Sequence, residues 1–188
     1  MNNYCKNLKL DFKLSLDLWT TAQMLYKKPR PAIFKLKLAS IDPTFINFLN
    51  ELDLTTNHAE IFYTPPMKNM PIHVDWHQYT NNCKLNWVFG GENSLMKWWR
   101  PKDPNAPLRQ KLTPIGTHYI HFEENECNEI ASAVIGQPSL VNVGIPHSID
   151  NRGCDVRWCL SYVIWDLNKN NVLQWDDALI KLSKYIDN

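Results

Sequence analysis

No run of this chain approaches the roughly 20 consecutive apolar residues that a membrane-spanning helix needs. The opening stretch, MNNYCKNLKLDFKL, holds no apolar segment of signal-peptide length either. The five cysteines, Cys5, Cys83, Cys127, Cys154 and Cys159, are odd in number and include no CxxC pair. That pattern speaks against a disulfide framework or a zinc knuckle and for a reducing compartment. The expectation is a soluble, cytoplasmic protein. Charge of one sign is also lacking. A net charge of +1 builds no bulk polyanion-binding surface, so nucleic acid is not an expected partner. A Gly-rich phosphate loop, a GxSxG elbow and a strand–helix alternation are all missing, which disfavours nucleotide-binding α/β folds. The chain shows no internal repeat and no low-complexity tract.

What is present is ordinary in bulk and heavy in aromatics. Hydrophobic residues make up 44% and charged residues 21% of 188, enough for one domain with a sizeable core. Eight Trp, seven Tyr and seven Phe exceed what a minimal core needs, so some should line a pocket. AIFKLKLAS (32–40) alternates like a strand. IDPTFINFLNEL (41–52) reads as a short amphipathic helix with Asp42 as N-cap and Pro43 at its first position. From there the chain turns β-rich. AEIFYT, PIHVDW, KLNWVF, SLMKWWR, THYIHF, SLVNVGI and VRWCLSYVIW are short, aromatic or β-branched, and separated by Pro, Gly and Asn. RPKDPNAPLRQKLTPIG (100–116), with four prolines, reads as a surface loop. QWDDALIKLSKYI (174–186) reads as a closing helix. The expected fold is mainly β with flanking helices, a barrel or sandwich of antiparallel sheets. The expected layout is a single domain over 1–188: a lead-in over 1–60, a β core over 60–166, and the helix.

PIHVDWHQY (71–79) places two histidines and an aspartate within five positions. On a strand, His73 and Asp75 share one face with His77. Strand rise puts His77 about 13 Å from His73, too far for both to bind one ion, so His77 is read as a surface residue. A metal needs a third ligand from a distant strand: His58, His118, His121 or His147. His118 and His121 have opposite parity, so at most one faces the core. His147, in NVGIPHSIDNRGCDVRWCLSY, is favoured because Arg157 follows ten residues later. Adjacent antiparallel strands joined by DNRG would bring His147 and Arg157 to one face, with Cys159 and Ser161 in phase with the arginine. Two histidines and a carboxylate leave three open positions, the facial arrangement of non-haem Fe(II) oxygenases. A buried arginine nearby supplies a fork for a carboxylate. The competing reading is a β-sandwich whose histidines are satisfied structurally.

With H-x-D at His73 and Asp75, a distal His147 and Arg157 ten residues on, the chain resembles the Fe(II)/2-oxoglutarate-dependent dioxygenases. KLNWVFGGENSLMKWW and PSLVNVGIPHSIDN are similar to the matching segments of small prolyl-hydroxylase-like and phage-encoded members. The resemblance covers roughly residues 60–166. It implies a double-stranded β-helix, a jelly-roll core of the cupin type. It implies Fe(II) held by His73, Asp75 and His147, and 2-oxoglutarate as cosubstrate with its distal carboxylate on Arg157. The family's usual Ser or Thr two residues after the arginine is Cys159 here, a poor donor. Ser161 and Asn86 are the remaining candidates to bind the cosubstrate. The activity implied is hydroxylation of a small-molecule or peptidyl substrate, with release of succinate and CO2. The alternative is a cupin-like protein that binds metal or a small acid without turnover, and a bare structural scaffold is a weaker third reading.

Overall fold

The computed structural model describes residues 2–12, 30–36, 41–75, 80–135, 138–153 and 155–187. All seven strands expected between residues 59 and 165 form, and three more join them in that interval. In chain order the strands are β1 (Cys5–Asn7), β2 (Ala32–Leu36), β3 (Leu54–Thr64), β4 (Lys68–Val74), β5 (Cys83–Phe89), β6 (Leu95–Pro101) and β7 (Arg109–Leu112). They continue with β8 (His118–Phe122), β9 (Cys127–Ala133), β10 (Ser139–Asn142), β11 (His147–Asn151), β12 (Arg157–Asp166) and β13 (Asn171–Val172). Helix α1 spans Pro43–Asn50 and helix α2 spans Trp175–Lys181.

The strand order makes this a jelly roll. One antiparallel sheet runs β1-β10-β5-β12-β3-β2, with β13 on β12, and the other runs β7-β8-β4-β11-β6-β9. Its eight-stranded centre is β3-β12-β5-β10 facing β4-β11-β6-β9. Most successive strands of that centre cross to the opposite sheet, the double Greek-key winding of cupins. Hairpin β7–β8 extends the second sheet at its β4 edge.

Period-two alternation gives the first sheet two unlike faces. Ala59, Ile61 and Tyr63 of β3, Leu85 and Trp87 of β5, and Trp158, Leu160, Tyr162 and Ile164 of β12 share one buried cluster. That cluster includes Phe45 and Leu49 of α1, and Trp175 and Ala178 of α2, so the helices cover this face. The intervening residues Glu60, Lys84, Asn86, Arg157 and Ser161 are also buried, on the face turned toward the second sheet. Polar groups therefore share the space between the sheets with an apolar cluster that includes Val88, Met96, Trp98 and Ile149, and desolvating them is costly unless each finds a partner.

Helix α1 begins as its sequence predicts. The Asp42 carboxylate accepts the Thr44 amide at 2.8 Å, and Pro43 occupies the first turn, where no donor is needed. Helix α2 is shorter than the expected 174–186. It stops at Lys181, followed by one 3₁₀ turn at Ser183–Tyr185. The proline-rich insert is not all loop, since its Arg109–Leu112 stretch pairs with β8 as exposed strand β7. Of 32–40, Ala32–Leu36 is strand, and 37–40 lies outside the described residues. Among the described residues no helix is long and apolar enough to cross a membrane.

One geometric expectation is corrected. Strands β11 and β12 are not neighbours in a sheet. β11 pairs with β4 and β6, while β12 pairs with β3, β5 and β13. Asp150 and Asn151 of DNRG end β11, the chain reaches the other sheet only beyond them, and His147 and Arg157 approach across the interior rather than side by side.

Candidate metal centre

His73 lies near the end of β4, and Asp75 follows that strand directly, its amide donating to the Val143 carbonyl at 3.3 Å. His147 opens β11 and is the cross-strand partner of His73. Register slips between His147 and Ile149, a bulge of the kind that re-aims a side chain. The two imidazole rings stand 4.4 Å apart between centroids. Asp75 Oδ1 lies 3.2 Å from His73 Nε2 and 3.7 Å from His147 Nε2, and the three ligand atoms all fall within 4.8 Å of one another. Ligands about 2.1 Å from one ion would be spaced by about 3 Å at octahedral and about 3.4 Å at tetrahedral angles, so the three atoms are close enough to share one ion.

Both histidines are oriented the same way. His73 Nδ1 meets the Pro71 carbonyl at 2.8 Å and His147 Nδ1 meets the Ile145 carbonyl at 2.9 Å. A carbonyl can only accept, so Nδ1 carries the proton and Nε2 keeps its lone pair for a metal. Burial and then the neighbouring His73 push the His147 pKa down to about 4, so it is neutral at pH 7. For Asp75 burial would raise the pKa. The Lys84 ammonium, 2.8 Å from Oδ2, is the largest of the influences that outweigh it and hold the carboxyl well below its usual range. A neutral His147 and an ionised Asp75 are the states in which these two groups can bind a divalent metal.

Beside the triad lies a cavity of about 40 Å³, lined by His73, Asp75, His147, Asn86, Arg157, Cys159 and Ser161, among others. Such a volume holds a few water molecules, or a slender carboxylate arm rather than a ring. Arg157 is 2% exposed, and its Nε donates to Ser94 Oγ at 3.1 Å. Among the described residues no carboxylate pairs with its guanidinium, and burial lowers its pKa. The Ser161 hydroxyl donates to Asn86 Oδ1 at 2.7 Å.

Two site residues escaped the sequence reading. Lys84 is buried on β5, with its ammonium 2.8 Å from Asp75 Oδ2 and 2.8 Å from Glu60 Oε2. Glu60, on β3, also meets His58 Nε2 at 3.1 Å. The signal was available: each is a charged residue in phase between apolar neighbours on a strand buried on both faces. A second, open cavity of about 480 Å³ adjoins the centre, sharing Phe62, Met70, His73, Asp75 and Lys84 with the small one. Its walls include Ile33, Leu112, Tyr119, Val163 and Trp165.

The other described histidines stay outside the ligand set. His58 sits in the large cavity against Glu60, His118 is exposed at that cavity's rim, and His121 pairs with Glu123 at 3.0 Å. His77 and Cys154 lie outside the described residues. Trp98 and Trp99 are both buried, in separate apolar clusters on opposite faces of β6. Cys5, Cys83, Cys127 and Cys159 are free and buried.

No protein-family model matches the chain, and no curated protein matches it. Solved structures do. EvdMO1 is 12% identical with a TM-score of 0.46, over 85% of this chain and 46% of that one. An oxalate oxidase in complex with the substrate analogue glycolate is 13% identical with a TM-score of 0.36, over 81% and 59%. Vicilin from Corylus avellana (hazelnut) is 11% identical with a TM-score of 0.39, over 79% and 32%. The chain spans 29% of the length of the vicilins from Capsicum annuum and Solanum melongena. At these identities the likeness says nothing about chemistry, and the jelly roll is read from the strand order above.

Proposed function

We propose that this chain is a non-haem Fe(II)- and 2-oxoglutarate-dependent oxygenase that hydroxylates a small-molecule or peptidyl substrate. The observation that carries the reading is Arg157: a buried guanidinium without a carboxylate partner among the described residues, facing the same small cavity as a two-histidine, one-carboxylate centre. An uncompensated buried cation is costly, and a carboxylate entering that cavity would relieve the cost. His73, Asp75 and His147 would hold the metal by Nε2, Oδ1 and Nε2. The metal, when bound, would supply oxygen activation, with 2-oxoglutarate and O2 consumed and succinate, CO2 and hydroxylated substrate released.

The chain's own residues bind and orient. Arg157 offers a planar fork to the distal carboxylate, and Ser161 and Asn86 stand further along the same cavity wall as polar partners. Cys159, between them, is a weaker partner than the hydroxyl usual there, and its thiol lies within reach of the Arg157 guanidinium. The larger cavity would seat the substrate against its apolar wall, next to the three positions the protein leaves open.

The test is anaerobic titration with Fe(II) and then 2-oxoglutarate. The expected result is a weak visible charge-transfer band that saturates with one 2-oxoglutarate per iron and disappears in His147→Ala. Tight iron binding with no band and no succinate on admitting air would instead identify a metal-binding protein without turnover.

A further inference from the structure

We propose that Lys84 is a positioning residue for the metal centre, holding Asp75 to a single metal-facing oxygen. The proposal rests on the metal reading above and adds to it a group outside the ligand set. Asp75 splits its carboxylate between two tasks. Oδ1 faces His73 Nε2 and His147 Nε2 at 3.2 and 3.7 Å, while Oδ2 is taken by the Lys84 ammonium at 2.8 Å. Lys84 is itself fixed from behind by Glu60 at 2.8 Å, and Glu60 by His58 at 3.1 Å. Its remaining face lies over the Phe62 ring, 5.5 Å from the centroid. With Lys84 only 8% and Glu60 4% exposed as side chains, water cannot readily take over either contact.

The consequence concerns denticity. A carboxylate with both oxygens free can chelate a divalent ion and fill one of the positions a bidentate acid and dioxygen would need. With Oδ2 held by an ammonium, chelation would require breaking a buried, charge-assisted hydrogen bond. Lys84 thereby keeps three positions open, and Glu60 keeps Lys84 in place. Outer partners of this kind tune metal affinity by about 10–100-fold.

Lys84→Met alone would leave the buried Glu60 without its ammonium partner, and the protein could fail to fold. The test therefore uses Glu60→Gln/Lys84→Met, which removes both charges together, with Glu60→Gln as the companion. Mn(II) alone is the probe, read by its dissociation constant and by water-proton relaxation of the loaded protein. In the folded double variant the dissociation constant is expected to shift by at least about tenfold. Relaxivity is expected to fall by roughly a third, as three bound waters become two. Glu60→Gln keeps Lys84 on Asp75 and should retain wild-type relaxivity. A merely structural Lys84 would lower the melting temperature and leave both metal readouts unchanged, and that result overturns the proposal. So does an equal loss of relaxivity in Glu60→Gln, which would place the effect on pocket charge. Failure of wild-type protein to bind Mn(II) at all is a separate result that removes the metal reading, and the proposal with it.

Discussion

Arg157 is where a single side chain decides the chemistry. It is buried at the start of β12, across the interior from His147, and its Nε donates to Ser94 Oγ. Arg157→Lys keeps a charge but loses the planar fork, so two-point recognition of a carboxylate fails. The expected cost is about 2–5 kcal/mol of 2-oxoglutarate affinity, as for truncating a buried charge pair. Iron affinity should stay within about threefold of wild type, since the arginine is not a ligand and an ion-ligand change would show as tens-fold. Isothermal titration at matched iron loading reads both. Equal 2-oxoglutarate binding by the two proteins would take Arg157 out of the site.

The element that assembles the centre is the short β10–β11 connection. Its Val143 carbonyl accepts the Asp75 amide and its Ile145 carbonyl accepts His147 Nδ1, so one loop orients two of the three ligands. Gly144 lets it pass close to the chain before β5: a Cβ there would lie 1.7 Å from the Thr80 carbonyl oxygen and 2.6 Å from Asn82 Oδ1. The Gly144 amide also donates to the Asn82 carbonyl at 3.0 Å, so backbone on both sides would have to move. Gly144→Ala is expected to destabilise by about 1–3 kcal/mol through overpacking. It should also weaken metal binding about tenfold by shifting the carbonyls behind the ligands. Urea denaturation and Mn(II) titration check the two effects. Full metal affinity in the folded variant would show that the loop does not set the ligands. Gly91 plays a related part at the β5–β6 turn, where φ is +58° and a Cβ would meet the Arg157 Cβ at 2.7 Å.

At the scale of the whole molecule, the buried polar interior ties stability to pH. His147 has its pKa lowered to about 4 from the ordinary 6.5. The unfolded chain therefore takes up a proton on this residue at a pH where the folded chain does not. Its contribution is fully present above pH 6.5 and is lost as pH falls toward 4, about 3 kcal/mol over that span for the metal-free protein. Asp75 and Glu60 also have lowered pKa values, against the raising effect of burial, chiefly because of Lys84. Their contributions fade only below their ordinary values of 3.8 and 4.5, so among the described groups with shifted pKa values His147 is the one that acts between pH 6.5 and 5. The urea midpoint of metal-free protein should drop between pH 7.5 and 5, and His147→Asn should flatten that slope. A flat wild-type profile would mean that His147 is charged in the folded state.

Sequence alone determined the β-rich class, the α1 cap and the spacing of His73, Asp75, His147 and Arg157. Each is a local or periodic property: Asp42 caps the next turn, and alternation within β4 and β12 sorts side chains by face whatever the strands pair with. Tertiary structure decided the rest. CNEIASA becomes β9 by pairing with β6, and exposed RQKL becomes β7 only beside β8, neither having an apolar alternation strong enough to be read by itself. Placing β11 and β12 in opposite sheets turned an expected side-by-side pair into a cavity with a metal ligand on one wall and an arginine on the other. Glu60 and Lys84 joined the site the same way. Their distance in sequence carries no information about an ion pair that exists because β3 and β5 flank β12 and turn those two side chains inward.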